Sequence, residues 1–263
     1  MADIARKYGD VSLKEACEKL FDDIAEHKMY ITGGIGSSHL GEAFTAPYDL
    51  PNLVSYTESC AALGLALFAH RMLLLDNDSK YANVVERAIY NGFLSSISLN
   101  GKSYFYTNPL EIMPDLHKRD SSTRDNSMWL PITQRQEVFW CSCCPPNIVR
   151  FIPSIANFLY TCDDNTVYVH QFMHSEGTVS VGGKDVKITQ KTDYPYDGKI
   201  EICTDSDVHL AIRIPDWCNS YEGETIKGYA FFDAKANEPI VIDFEMKPFF
   251  VGANPRVAFD CGK

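Results

Sequence analysis

The spacing of apolar positions changes character near residue 162. Upstream it is helical. Leu13, Ala16, Cys17, Leu20, Phe21 and Ile24 recur at three- and four-residue steps, which predicts an amphipathic helix. Residues 57–75 predict a second helix. Its CAALGLALFA stretch is apolar all round, so burial on most sides is expected. Asp76-Asn77-Asp78-Ser79 supplies a turn and an N-cap for a third helix over 80–98. Pro145-Pro146 suits the first turn of a fourth, about 146–160.

Downstream the pattern alternates. TVYVHQFM, TVSVGG, DVKITQKT, KIEICT, VHLAIRIP and PIVIDFEM are short β-branched runs separated by Gly, Asp, Asn and Pro. Short strands at close spacing with turn signals predict an antiparallel β-sandwich. Helices first and strands afterwards imply an α+β chain of two domains, 1–161 and 162–263, and not a βαβ sheet. The expected junction is short, Thr161 to Asn165.

Two stretches, 30–56 and 100–143, are long and irregular. Loops of that length in a compact domain are usually functional. The first holds TGGIGSSHLGEAF and the second ends in a cysteine cluster. Chemistry is expected where the two loops meet.

Composition supports a real core: 45% of the 263 residues are hydrophobic. That excludes a disordered chain, a collagen-like chain and a cysteine-stapled miniprotein. Lys and Arg number 24 against 35 Asp and Glu, a net charge of −11. Such a surface repels phosphate backbones and argues against nucleic acid as a partner. The longest apolar run, Cys60 to Ala69, is far shorter than the roughly 20 residues of a membrane span. The N-terminal MADIARKYGD has no apolar signal region, so a cytoplasmic location is expected.

The nine cysteines are an odd number, and Cys141, Cys143 and Cys144 lie almost together. Clustered thiols without a secretory signal read as metal ligands or reactive groups. Glu58 and Cys60 form an E-x-C pair, and Cys143 and Cys144 a C-C pair. Together they offer three thiolates and a carboxylate, a plausible tetrahedral set for zinc. Residues two apart do not share a helix face, so Glu58 and Cys60 can converge only at a helix start. The alternative is that Cys60 is a small core residue and Cys143 and Cys144 are packing.

Other residues carry less. TGGIGSS lacks the Gly-Lys-Ser/Thr ending of a phosphate loop and no βαβ unit surrounds it, so nucleotide binding is rejected. It reads as a tight turn passing close to something, for which a neutral ligand is one possibility. Glu42, flanked by Phe44, Pro47 and Tyr48, is either a general acid or a solvated surface carboxyl. Tyr104 and Tyr106 could stack on a sugar ring or pack the loop. His70 reads as a core histidine, and His117, His170, His174 and His209 show no metal spacing. Asp115, Arg119 and Asp120 read as a solvated loop.

In combination the motifs are recognisable. TGGIGSSHLGEAF, YDLPN, YTESCAALG, YANVVERAIYNGFLSSIS, YFYTNPLE and CSCCPPNI, in that order, resemble glycoside hydrolase family 127, the β-L-arabinofuranosidase family. YPYDGKIEI and IRIPDWC resemble its following β-sandwich, and the likeness runs from about Met29 to Cys218 with a weaker continuation. The resemblance implies the second half of an (α/α)6 barrel followed by a β-sandwich. It also implies a zinc-dependent retaining exo-glycosidase that releases terminal β-L-arabinofuranose through a cysteine thioglycosyl intermediate. Carried over by motif, Glu42 is the acid/base, and Glu58, Cys60, Cys143 and Cys144 are zinc ligands. Cys143 is also the nucleophile, Tyr106 is a substrate contact, and Cys141 is not implied as a ligand. The implied partner is an L-arabinofuranose-containing oligosaccharide or glycoconjugate.

The family's chain is more than twice as long. Its first half-barrel, with substrate-binding histidines, is expected upstream and missing here. The chain is therefore expected to be a fragment, incomplete at the C-terminus, with exposed apolar surface on its helical part. The alternative reading is an inactive zinc-holding or carbohydrate-binding fragment without turnover. A redox thiol protein lacks support, since no cofactor motif accompanies the three clustered cysteines.

Overall fold

The computed structural model describes residues 1–111, 134–139 and 141–254. His117, the Asp115, Arg119 and Asp120 group, and the end of the chain from Pro255 lie outside the described residues. By internal contacts the chain forms two units. One comprises Met1–Met72, Val84–Ile152 and the segment from Val251; the other comprises Leu73–Asn83 and Pro153–Phe250. The order of elements is α+β, with helices leading and strands following.

The first unit opens with α1 (Ala2–Tyr8), which ends at Gly9 with a left-handed φ of 65°. Asp10 then caps α2 (Val11–His27), its carboxylate accepting from the Leu13 N–H at 3.0 Å. Helix α1 is too short to show a period and buries only Ala2 and Ala5, so the apolar spacing does not reveal it. Helix α2 buries Cys17 and Phe21, and Phe21 meets Phe68 edge-on at 5.8 Å. Phe68 belongs to α3 (Ser59–Leu73). That helix is buried on most sides, as its composition predicts, leaving Gly64 and Leu67 exposed along one stripe.

Helix α4 (Ser79–Arg87) does not continue as one α-helix to residue 98. It passes into a π-helical segment, Ala88–Phe93, and a 3-10 turn, Leu94–Ser96. Six residues of π-helix hardly alter the apolar period, so the pattern does not distinguish them. Two glycines explain the packing here. A Cβ on Gly92 would lie 2.9 Å from that of Ala62. Gly33 has φ 78°, and a Cβ there would lie 2.7 Å from the Arg87 carbonyl carbon. At Gly33 the TGGIGSS turn passes close to the backbone of Arg87 and Ala88.

The fourth predicted helix is α5 (Cys144–Phe151), which carries its prolines in the first turn. It gives way to 3-10 geometry over Ile152–Phe158. Pro153 lacks the N–H that an α-helical ladder would need at that point.

The second unit holds eight strands: β1 (Tyr160–Cys162), β2 (Thr166–Val169), β3 (Ser175–Val181), β4 (Lys184–Thr192), β5 (Lys199–Thr204), β6 (Val208–Arg213), β7 (Tyr229–Ala234) and β8 (Ile240–Asp243). They form two sheets, in the orders β1-β2-β6-β7 and β3-β4-β5-β8. Strand β4 alternates, with Val186, Ile188 and Gln190 turned inward. Both sheets feed one core, which includes Val167, Val169, Ile188, Ile200, Ile202, Leu210 and Ile212. Burying each such side chain contributes roughly 1.5–3 kcal/mol. Gly182 and Gly183, both at positive φ, make the two-residue turn between β3 and β4.

The second sheet is antiparallel throughout, but the first is mixed, because β2 and β6 run parallel. The wholly antiparallel expectation is corrected here. Alternation records which face is buried and carries no information on strand direction. Between β2 and β6 the chain visits the other sheet, which allows a parallel return. His170 is a structural residue, its ring between the Thr161 and Tyr229 hydroxyls at 2.7 Å each. Among the described residues no helix is long and apolar enough to cross a membrane.

Candidate active site

The site is assembled from four short stretches of the first unit: 42, 56–60, 104–108 and 143–147. Residues 56–60 and 104–108 run side by side. The Ser59 N–H donates to Tyr106 O at 3.0 Å, the Asn108 N–H to Tyr56 O at 3.3 Å, and Glu58 bridges Thr107. Thr57 breaks the extended run with φ 37°, and Tyr56 and Tyr106 meet edge-on at 6.1 Å. Phe139 packs against both loop tyrosines, at 4.9 Å from Tyr104 and 5.8 Å from Tyr106.

Glu58 stands immediately before α3 and Cys60 in its first turn, where the backbone is still turning. The Glu58 carbonyl already accepts from the Ala62 N–H at 3.1 Å. Cys143 is the N-cap of α5 and Cys144 its first residue. These two helix starts face each other. Cys143 Sγ lies 3.2 Å from Glu58 Oε1, 3.6 Å from Cys60 Sγ and 3.9 Å from Cys144 Sγ. The ligand atoms of Glu58, Cys60, Cys143 and Cys144 all fall within 4.8 Å of one another. Cys144 is fully buried and Glu58 nearly so. Cys141 is free and outside this group.

The Glu58 carboxyl opposes ionisation of the thiols around it. The hydrogen bond from Cys144 holds the Cys60 thiol down at about 7, helped by donors from Asn147 and Cys143. Burial pushes Cys143 up to about 12, and its contacts with Glu58 and Cys60 add to the rise. Cys144 is driven higher still, because it donates to Cys60 and is buried. The cluster on its own thus concentrates thiolate charge on Cys60. Three sulfurs and a carboxylate gathered around one point form a donor set that a thiophilic divalent cation complements. The residues fit such an ion in number, type and proximity.

Glu42 lies beside this cluster. Its Oε1 accepts from the Tyr56 hydroxyl at 2.8 Å and from the Tyr106 hydroxyl at 3.3 Å. Burial raises both tyrosines above the ordinary tyrosine range, so each keeps its proton as a donor. Tyr106 also reaches Cys143 Sγ at 3.5 Å. Glu42 Oε1 and Cys143 Sγ can therefore be no farther apart than those two contacts together. Tyr104 shares the strip but is directed to Phe139.

All six residues singled out by motif, Glu42, Glu58, Cys60, Tyr106, Cys143 and Cys144, are brought together. Three neighbours escaped the motif reading. Asn147 donates to Cys60 Sγ at 3.0 Å. Its place three residues after Cys144, on the same face of α5, was a usable signal. Tyr56 offered only its closeness to Glu58 in the sequence, because the turn between them is made at Thr57, with φ 37°. Asn108 offered none, because it acts through main-chain contacts.

Comparisons with known proteins point one way. The family model for the GH127 β-L-arabinofuranosidase catalytic domain matches residues 1–157, and that for the middle domain matches 166–241. A non-reducing end β-L-arabinofuranosidase from Bifidobacterium longum subsp. longum is 35% identical over the whole of this chain and 42% of its own length. A crystal structure of a GH127 β-L-arabinofuranosidase from Geobacillus stearothermophilus T6 superposes with a TM-score of 0.87 at 39% identity. That match covers 97% of this chain and 42% of the other. A second GH127 β-arabinofuranosidase structure gives 0.86 at 34% identity, covering 98% and 43%. The chain thus spans less than half the length of these relatives. With its catalytic-domain match over 1–157, the chain belongs to glycoside hydrolase family 127, the β-L-arabinofuranosidase family.

Proposed function

We propose that the chain carries the catalytic centre of a zinc-dependent retaining exo-glycosidase. Its substrate is a terminal β-L-arabinofuranose on an oligosaccharide or glycoconjugate. The observation that carries this reading is the shared Tyr106 hydroxyl, 3.3 Å from Glu42 Oε1 and 3.5 Å from Cys143 Sγ. A retaining glycosidase needs its proton donor and nucleophile about 5–5.5 Å apart across the scissile bond. One hydroxyl spanning the two groups is compatible with that separation. The Bifidobacterium relative, a non-reducing end β-L-arabinofuranosidase, supports the choice of sugar. In the same reading residues 1–161 are the second half of an (α/α)6 barrel and 162–263 a β-sandwich.

Glu58, Cys60, Cys143 and Cys144 would hold the ion. Bound zinc supplies the positive charge that keeps coordinated sulfur deprotonated at neutral pH. Cys143 Sγ attacks the anomeric carbon while Glu42 gives its proton to the departing glycosidic oxygen. A C–S bond forms as the C–O bond breaks. Glu42, now a carboxylate, takes a proton from water, whose oxygen attacks the same carbon. The C–S electron pair returns to Cys143. Two inversions leave the configuration retained. Tyr106 and Tyr56 fix Glu42 Oε1, which leaves Oε2 to carry the proton. Tyr106 also contacts the sugar.

Hydrolysis of p-nitrophenyl β-L-arabinofuranoside tests this directly. The chain should release p-nitrophenol, and Cys143→Ser should keep the fold and lose the activity. Full activity in Cys143→Ser would overturn the nucleophile assignment. Zinc binding without turnover by the unmodified chain would instead favour a metal-holding fragment.

A further inference from the structure

Asn108 touches neither Glu42 nor any cysteine of the cluster, yet it grips the backbone on both sides of Glu58. Its Nδ2 donates to Thr57 O at 2.9 Å and to Ser59 Oγ at 3.1 Å. Its own carbonyl accepts from Thr57 Oγ1 at 2.5 Å, and its N–H donates to Tyr56 O at 3.3 Å. Ser59 Oγ in turn donates to Phe105 O at 2.6 Å. One residue therefore ties down the chain from 56 to 59.

Thr57 needs that restraint. It has φ 37° and is 2% exposed. A β-branched residue at positive φ is a genuine outlier, and it persists only where the surroundings over-determine it. The Thr57 N–H is held by Gly36 O at 2.8 Å. On its side-chain face space is tight at one point, where a Cβ on Gly34 would lie 3.0 Å from Thr57 Cγ2. Elsewhere Thr57 and Asn108 border a cavity of about 360 Å³ shared with Asn91, Ser95 and Phe105. Without the clamp Thr57 has room to relax toward an ordinary backbone conformation. Such a relaxation turns the next residue, Glu58, and takes its carboxylate away from the contact at 3.2 Å with Cys143 Sγ.

The geometry points to Asn108 as a positioning residue for Glu58. By clamping Thr57 and Ser59, it holds a strained backbone that presents the Glu58 carboxylate to the three cysteines. This inference rests on the metal reading proposed above. Partners that orient a ligand in this way typically alter metal affinity 10–100-fold when lost.

Co2+ titration of the full chain, followed by sulfur-to-metal charge-transfer absorption and by competition with a chromophoric chelator, tests it. Asn108→Asp keeps the side-chain shape and removes both Nδ2 donors. Asn108→Ala removes the whole side chain and leaves the main-chain contacts with Tyr56 and Thr57, and if it fails to fold, Asn108→Asp carries the comparison. The variant should bind Co2+ about 10–100-fold more weakly, with the thiolate band still present. Glu58→Ala should lose affinity similarly. Because Asn108 acts through Glu58, the double variant should be no weaker than Glu58→Ala alone. Wild-type affinity in Asn108→Asp, or a loss that adds in full to that of Glu58→Ala, would overturn the inference. If the unmodified chain shows no thiolate band, the metal reading falls and the inference with it.

Discussion

The Tyr106 hydroxyl lies 3.5 Å from Cys143 Sγ. The same oxygen donates to Glu42 Oε1 at 3.3 Å, so a neutral, buried phenol links the two groups to which we assign the chemistry. Its position follows from register. Ser59 pairs with Tyr106, and Glu58 bridges Thr107, so the tyrosine is carried beside the start of α3.

Tyr106→Phe removes that link and leaves the ring packing on Phe139 and Tyr56 in place. The expected result is a fall in kcat of about 10²-fold or more, the scale of losing one preorganised donor. Zinc content should be unchanged, because Tyr106 is not among the proposed ligands. Elemental analysis alongside kinetics checks both halves.

The thiols should separate by pH. After chelation and gel filtration, iodoacetamide should modify Cys60 first, at a rate rising through about pH 7, where its thiol titrates. Only the thiolate reacts, so a lowered pKa brings reactivity to lower pH. Cys143, pushed up to about 12, should stay unmodified across neutral pH. Peptide mapping by mass spectrometry against pH reads the order. Added zinc should protect both residues.

Gly33→Ala should destabilise the first unit. The substitution asks an L-residue to adopt φ 78° and places a Cβ 2.7 Å from the Arg87 carbonyl carbon, which is backbone and cannot swing aside. A loss of about 1–3 kcal/mol or more is expected from overpacking and backbone strain together. Urea unfolding followed by circular dichroism measures it.

Much of the site was legible because its ligands come in tight pairs. Glu58 with Cys60, and Cys143 with Cys144, each occupy a helix start, and an apolar period or a proline pair marks such starts in sequence. Helix α3 was legible for the same reason. What stayed hidden depends on tertiary contact. The π segment after α4 keeps the helical period, and the parallel β2–β6 pairing leaves the alternation unchanged. The grip of Asn108 on Thr57 is made largely to backbone atoms, between residues 51 positions apart. The TGGIGSS turn was visible as a close approach, but its partner at Arg87 and Ala88 was not.

The nucleophile assignment is tested most directly by trapping. In Glu42→Gln, p-nitrophenyl β-L-arabinofuranoside can still glycosylate the enzyme, because p-nitrophenolate leaves without a proton donor. Removal of the sugar then slows for want of a base. Intact-mass and peptide spectrometry should show one pentosyl unit attached to the peptide bearing Cys143. Turnover with no covalent adduct, or a pentosyl unit on a carboxylate instead, would contradict the account.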